Sequence, residues 1–355
     1  MTKIPNWLKI DRVIINLAGE WVGLGDIIAV APLVSAIRSA SPKCKIYATL
    51  TGTKWNSIVG LMEGNVKTIN VGNDFYRFRK LWLNGLFRFR RPWSRTAFFY
   101  DYMAPRSRAS LLGRIMGAKF RFGYGPNEDG EACPDTHKLS YNSIGISPFH
   151  YSVDFDRITG LKTDSTVLLG KNRLEAEGKK LIGDLGIKED TRIFAMHPGS
   201  DSNHMAKRWP AESFAKLASE LKLKHQIAGI VILGPDEHAV LGDWPKESPA
   251  IFVTGHTIHN IACILSCCEF LISNDSGIMN LAFALGIPGI ALFGPTSAAK
   301  HDGWFLNGKF LQSSYNSVCP SCYGSDRYRV CDQIPPPCME SITVDEVIEK
   351  LQDVL

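Results

Sequence analysis

The sequence predicts an α/β protein made of two Rossmann-like, doubly wound domains facing a cleft. Three observations predict it. Short apolar runs alternate with stretches of helical spacing along the chain. Those runs are apolar on both faces, which suits parallel strands covered by helices on each side. They also form two successive series, and 355 residues are more than one core usually serves.

In the first series, Arg12–Leu17, Lys45–Leu50, Lys67–Val71 and Ala97–Tyr100 read as strands. In the second, Arg192–His197, Ile227–Leu233, Ile251–Val253, Phe270–Ser273 and Gly289–Phe293 do the same. Between strands, Ala211–Lys222 has helical spacing, with Phe214, Leu217, Ala218 and Leu221 on one face. The break falls between Gly160 and Asp190, where the charged run NRLEAEGKKL replaces strand patterns. The expected domains are therefore 1–170 and 171–340, followed by a terminal helix in 341–355. That helix carries Val344, Val347, Ile348, Leu351 and Leu355 at helical spacing. It packs either on its own domain or back on the N-terminal one. In open parallel sheets, ligands sit beyond the carboxyl ends of the strands, so the cleft is the expected site.

Composition narrows the class. A hydrophobic fraction of 45% and a charged fraction of 21% fit a globular protein. No apolar run reaches the roughly 18 residues a membrane-spanning helix needs. The first ten residues lack the apolar core of a signal peptide, so the chain is expected in the cytoplasm. Net charge is +5, but Phe75–Arg121 holds twelve Lys/Arg and one acidic residue, Asp101. Elsewhere 28 basic residues face 34 acidic ones, a net of −6, so one segment carries the whole positive excess. Aromatic residues interleave with Arg77, Arg79, Lys80, Arg88, Arg90 and Arg91 in that segment. Such a patch attracts anions: phosphorylated glycolipid, an anionic membrane or nucleic acid. The alternative is a solvated basic face.

Four turns carry the chemistry. The first lies in SNDSGIMNLAFALGIPGIALFGPT, Ser273–Thr296. A strand runs into a polar turn where a helix starts. Asp275 or Ser276 can cap that helix, and Gly277 lets a ligand approach the backbone. Free N–H groups and the helix dipole there make a seat for phosphates. Gly286-Ile287-Pro288 ends the helix. A capped helix between buried strands is the alternative reading. The second turn, HPGSDSNHMAKRWP from His197 to Pro210, also follows a strand. Gly199 and Ser200 offer another phosphate-binding turn, and Lys207 and Arg208 offer positive charge for a leaving diphosphate. The third, Gly23-Leu24-Gly25-Asp26, opens a helix with a carboxylate. Asp26 either takes a proton from an acceptor hydroxyl or merely caps the helix. The fourth, Gly234-Pro235-Asp236-Glu237, puts an acidic residue after a strand, where it meets a ribose or base or simply starts a helix.

Taken in their order along the chain, the four turns resemble glycosyltransferase family 9, the heptosyltransferases of lipopolysaccharide core assembly. The resemblance covers about residues 20 to 340, and Ser273–Thr296 is its most specific stretch. It implies a GT-B fold with the nucleotide-sugar held mainly by the C-terminal domain. It also implies an inverting transfer needing no metal or other cofactor, commonly from ADP-L-glycero-D-manno-heptose. By that resemblance, Asp26 is the general base and Lys207 neutralises the diphosphate. Gly25, Ser200, Asp275, Ser276, Gly277 and Asn280 contact the donor, and Glu237 contacts the nucleoside. The chain departs from the family pattern at Asn280, where the family usually has His. Asn donates a hydrogen bond but carries no charge. The N-terminal domain would take an anionic, membrane-anchored acceptor on its basic segment, with peripheral contact at the cytoplasmic face of the inner membrane. No recognised nucleic-acid module accompanies that segment.

There are nine cysteines. Cys263, Cys267 and Cys268 lie in an apolar helical stretch and read as buried thiols. Cys319, Cys322, Cys331 and Cys338 cluster, and four thiols so spaced can hold a structural zinc or iron. Relatives within the family often carry cysteines here, and protein-modifying heptosyltransferases use four for iron. A reduced, unliganded tail is the alternative. Two rival functions stand beside transfer: a nucleotide-sugar 2-epimerase of the same fold, and a non-catalytic sugar-nucleotide or glycan-binding protein.

Overall fold

A computed structural model describes residues 4–18, 22–62, 65–71, 95–100, 118–124, 137–139, 159–161, 170–200, 204–235, 237, 239–248, 250–298, 307–317, 331, 333, 335–352 and 354. The chain divides into two units, Met1–Leu169 and Gly170–Leu355.

The first unit is a six-stranded sheet of β1 (Arg12–Asn16), β2 (Lys45–Thr51), β3 (Lys67–Val71), β4 (Thr96–Tyr100), β5 (Phe120–Tyr124) and β6 (His137–Leu139). Its order is β3-β2-β1-β4-β5-β6, and every pairing is parallel. All five residues of β1 are buried, as a central strand covered on both faces requires. Trp7 stacks on Phe99 and Phe122, and its indole N–H donates to the Thr159 carbonyl at 2.7 Å. The two ends of this unit are thereby joined.

The second unit repeats the plan with β7 (Ile193–His197), β8 (Ala228–Ile232), β9 (Ile251–Val253), β10 (Leu271–Asn274), β11 (Gly289–Phe293) and β12 (Gly308–Gln312). Its order is β12-β11-β10-β7-β8-β9, again all parallel. Both sheets therefore have the 3-2-1-4-5-6 order of doubly wound nucleotide-binding folds. The chain reverses direction across the sheet between β1 and β4 in one unit, and between β7 and β10 in the other. Those two points are where such folds hold ligands.

The nine expected strands all form, with ends shifted by a residue at most places. Three further strands, β5, β6 and β12, were not anticipated. β6 is only three residues long, and β12 lies at a sheet edge with partly exposed side chains, so neither shows a continuous apolar run.

In the second unit, Phe214, Leu217, Ala218 and Leu221 face the sheet from the helix Ala211–His225 and join the core with Phe194, Phe270 and Trp209. The terminal helix Val344–Leu351 belongs to this same core, through Val344, Val347 and Leu351. Of the two placements open to it, its apolar stripe takes the one on its own unit. The helix is fixed at its start by Thr343, whose Oγ1 accepts from the Glu346 N–H while Glu346 accepts from the Thr343 N–H.

Among the described residues, no helix is long and apolar enough to cross a membrane.

Candidate functional site

The switch point of the second unit brings together two of the turns singled out in the sequence. β7 and β10 are neighbours, with Ser273 opposite His197, so the segments that follow them emerge side by side. Asn274 ties these segments together. Its Nδ2 donates to the carbonyls of Pro198 and Gly199 at 2.8 and 3.3 Å, and its Oδ1 accepts from the Trp209 N–H at 3.1 Å. The side chain is fully buried, so every one of these bonds is made out of water's reach.

The helix Gly277–Ala284 starts at the rim of this junction. Of the two candidate caps, Ser276 is the one used: its Oγ accepts from the Met279 N–H at 3.3 Å. The N–H groups of Gly277 and Ile278 have no partner within the helix, by the geometry of a helix start. Ser276 and Gly277 are partly exposed, so this end of the helix can be reached by a ligand. Gly286, with φ of 77°, ends the helix in a left-handed turn. There the Ile287 N–H reaches back to the Ala282 carbonyl and the Gly286 N–H to that of Phe283.

Asp275 is buried behind that rim. Its Oδ2 accepts from Lys207 Nζ at 2.8 Å and from Thr296 Oγ1 at 2.9 Å. Three segments thus meet on one carboxylate oxygen: the loop after β7, the turn after β10 and the turn after β11. Lys207 is held beside the helix start by this bond. Ser200, two residues beyond Pro198, donates its hydroxyl to the His204 carbonyl and accepts from Arg208 Nε at 3.1 Å. Arg208 Nη2 also donates to the Ser200 carbonyl at 2.9 Å. Arg208, expected to supply charge to a leaving group, grips this loop.

Glu237 lies on the neighbouring strand end and is also buried. Its Oε2 accepts from the Gly234 N–H at 2.6 Å, and its Oε1 lies 3.6 Å from His197 Nε2. His197 faces the Ile232 carbonyl through Nδ1 at 2.9 Å, so Nδ1 carries the ring hydrogen. A side chain at Gly199 would run into the Glu237 carboxylate. The carboxylate therefore lies under the Gly199 turn and braces it.

Asn280, one turn into the helix, donates from Nδ2 to the Ser276 carbonyl at 3.3 Å. Its Oδ1 is buried and has no hydrogen-bond partner among the described residues. A carbonyl oxygen so placed is chemically able to accept from a hydroxyl or amine.

Asp26 lies in the first unit, beyond β1 at that sheet's switch point. It occupies the third position of the short helix Leu24–Ile28, and its Oδ2 accepts from the Gly23 N–H at 2.8 Å. It therefore does cap the helix. Burial raises its pKa above the ordinary 3.8, against the lowering effect of the hydrogen bonds from the Gly23 and Asp26 N–H groups. Gly25, its neighbour, is partly exposed.

Arg77, Arg79, Lys80, Arg88, Arg90 and Arg91 lie outside the described residues, as do Cys319 and Cys322. Cys331 is half-buried, and Cys338 is buried against Gly294. Of the three thiols expected to be buried, Cys263 and Cys268 are, whereas Cys267 is only half-buried because it caps the end of its helix. Sequence reasoning did not find the hub role of Asn274 or the contact of Thr296. The only signal was their place at the two ends of the most specific motif.

The architecture defines the class of protein: two parallel sheets of nucleotide-binding order, as in the GT-B fold. A solved family 9 glycosyltransferase from Veillonella parvula superposes with a TM-score of 0.72 at 17% identity, covering 98% of this chain and 97% of that one. The E. coli ADP-heptose lipopolysaccharide heptosyltransferase II superposes with a TM-score of 0.65 at 16% identity, covering 97% and 98%. Residues 157–321 match the family model for glycosyltransferase family 9 (heptosyltransferase). Lipooligosaccharide heptosyltransferase 2 of Campylobacter jejuni is 27% identical over 180 residues, which is 49% of this chain and 54% of that protein. The chain thus spans about half the length of the curated relatives it matches. Its residues 157–321 are thus similar in sequence to glycosyltransferase family 9, and its fold is that of solved family members.

Proposed function

We propose that this chain is an inverting glycosyltransferase. It moves a heptose, or a similar sugar, from a nucleotide-sugar to a lipopolysaccharide-core or other surface-glycan acceptor. The observation that carries the reading is the pair of turns at the β7/β10 switch point, stitched through Asn274, with an open helix start at Ser276–Gly277 beside Lys207. Such a place suits a diphosphate. ADP-heptose is the first candidate donor, because the structurally similar E. coli enzyme is named for it.

In this reading the second unit holds the donor. Lys207 and the helix start stabilise the charge that develops on the leaving diphosphate, so no metal is needed there. Asp26 takes the proton of the acceptor hydroxyl as that oxygen attacks the anomeric carbon. Its raised pKa suits a base better than an ordinary carboxylate would. The first unit takes the acceptor, and the charge of Arg77, Arg79, Lys80, Arg88, Arg90 and Arg91 attracts an anionic glycolipid at the cytoplasmic surface of the inner membrane. The match of residues 157–321 to the heptosyltransferase family model and the lipooligosaccharide relatives favour that acceptor class.

A thermal-shift panel of ADP-, UDP-, GDP- and dTDP-sugars tests the donor. A ligand at one hundred times its dissociation constant stabilises by about 2.7 kcal/mol, which is readily measured. ADP-heptose should give the largest shift, and incubation with a core acceptor should release ADP. Binding of no nucleotide-sugar would end the reading. Conversion of the sugar without any acceptor would replace it with epimerisation.

A further inference from the structure

A second cluster of metal-binding side chains lies apart from the site above, within the second unit. It joins the helix Glu175–Asp184 to the helix Ile258–Ser266. His259 and Cys263 are four residues apart and so lie on one face of the latter helix. Glu177 reaches them from the former. His259 Nε2 is 3.0 Å from Glu177 Oε2 and 3.6 Å from Cys263 Sγ. All three ligand atoms lie within 4.8 Å of one another.

The two helices touch backbone to side chain at this level. A Cβ on Gly178 would strike the Cys263 carbonyl and the Cys267 Sγ. Gly178 is what allows the approach, and Glu177 is its neighbour. The thiol forms the buried floor of the cluster. The imidazole is partly covered, and the carboxylate stands at the rim with its side chain 52% exposed.

We propose that Glu177, His259 and Cys263 form a binding site for a divalent transition metal, with zinc as the best match. The chemistry of the donor set is mixed: one carboxylate oxygen, one imidazole nitrogen and one sulfur, the three ligand types zinc accepts. The two edges at the imidazole fit such an ion. With ordinary zinc–ligand lengths, a tetrahedral site has N···O edges of about 3.4 Å and N···S edges of about 3.6 Å. The 3.0 and 3.6 Å seen here differ from these by a few tenths of an ångström at most. A metal at their common focus would be bound by all three. The fourth position faces solvent and takes water. The ion would brace the helix that feeds β10, the strand ending in Asn274. This site uses none of the tail cysteines as a ligand and does not depend on the transfer reaction.

Cobalt(II) is the probe, added to full-length protein stripped with chelator. A thiolate-to-cobalt charge-transfer band is expected at one equivalent. His259→Ala, Cys263→Ser and Glu177→Gln should each weaken cobalt binding by at least about tenfold, since even loss of a supporting residue around a metal does as much. The first and last of these alter partly exposed side chains, so they keep the test valid if Cys263→Ser fails to fold. Melting temperatures in chelator should match the parent for those two. Retention of the full band in both would show that the metal belongs to the tail cysteines and overturn the proposal. Absence of any thiolate band in the parent protein would overturn it too.

Discussion

Lys207 Nζ lies 2.8 Å from Asp275 Oδ2, with both side chains mostly shielded from water. The Asp275 carboxylate therefore sets the position of the lysine beside the helix start. Lys207→Ala should weaken binding of the nucleoside diphosphate by roughly 10- to 100-fold, the worth of one charge-assisted hydrogen bond. Isothermal calorimetry measures this. It should also lower stability by about 1–3 kcal/mol, because it removes the cation from a buried carboxylate. An unchanged affinity would show that the lysine serves the loop and not the ligand.

Asp26 combines a cap with a raised pKa. As a base it must be ionised, so kcat/KM should fall on the acid side through a pKa above the ordinary 3.8. Asp26→Asn should abolish transfer and leave donor binding intact. Stability should move the other way. A carboxyl whose folded pKa is raised favours the fold while protonated, and this contribution is lost as pH rises through the folded pKa. At neutral pH, Asp26→Asn removes that penalty and should melt at or above the parent temperature. Full turnover in the variant would end the assignment of Asp26 as base.

Asn280 presents a buried carbonyl oxygen without a partner. Asn280→Leu should raise the melting temperature of the ligand-free protein, because an unsatisfied buried acceptor destabilises by about 1–3 kcal/mol. If the oxygen accepts from the donor sugar, the same variant should bind the nucleotide-sugar about tenfold more weakly. Stability gained with no loss of affinity would remove Asn280 from the donor site.

Gly199 lies over the Glu237 carboxylate. Gly199→Ala should displace that side chain and lower stability by about 1–3 kcal/mol, as overpacking of a filled site does. Chemical denaturation measures it. Double substitution with Glu237→Ala should recover part of the loss. Full additivity of the two would contradict the contact.

Much of the fold was legible because parallel strands buried on both faces leave continuous apolar runs. β11, GIALF, and β7, IFAMH, are clear cases. β12, GKFLQ, was not legible because an edge strand is half exposed and mixes polar with apolar residues. The terminal helix was legible as a helix, but its partner was not. An apolar stripe states that something must cover it, not which surface does.

The sequence by itself determined the two-domain α/β class, the four turns and their resemblance to family 9, because these depend on local spacing. It also named Lys207, Asp275 and Ser276 as residues of one site. The tertiary structure decided their roles. Ser276 caps, Asp275 holds Lys207, Arg208 grips Ser200, and Glu237 braces the Gly199 turn. These partners are joined by strand order, which puts β7 beside β10 across more than seventy residues of chain. No local pattern encodes that adjacency. It comes from the cooperative packing of the whole sheet.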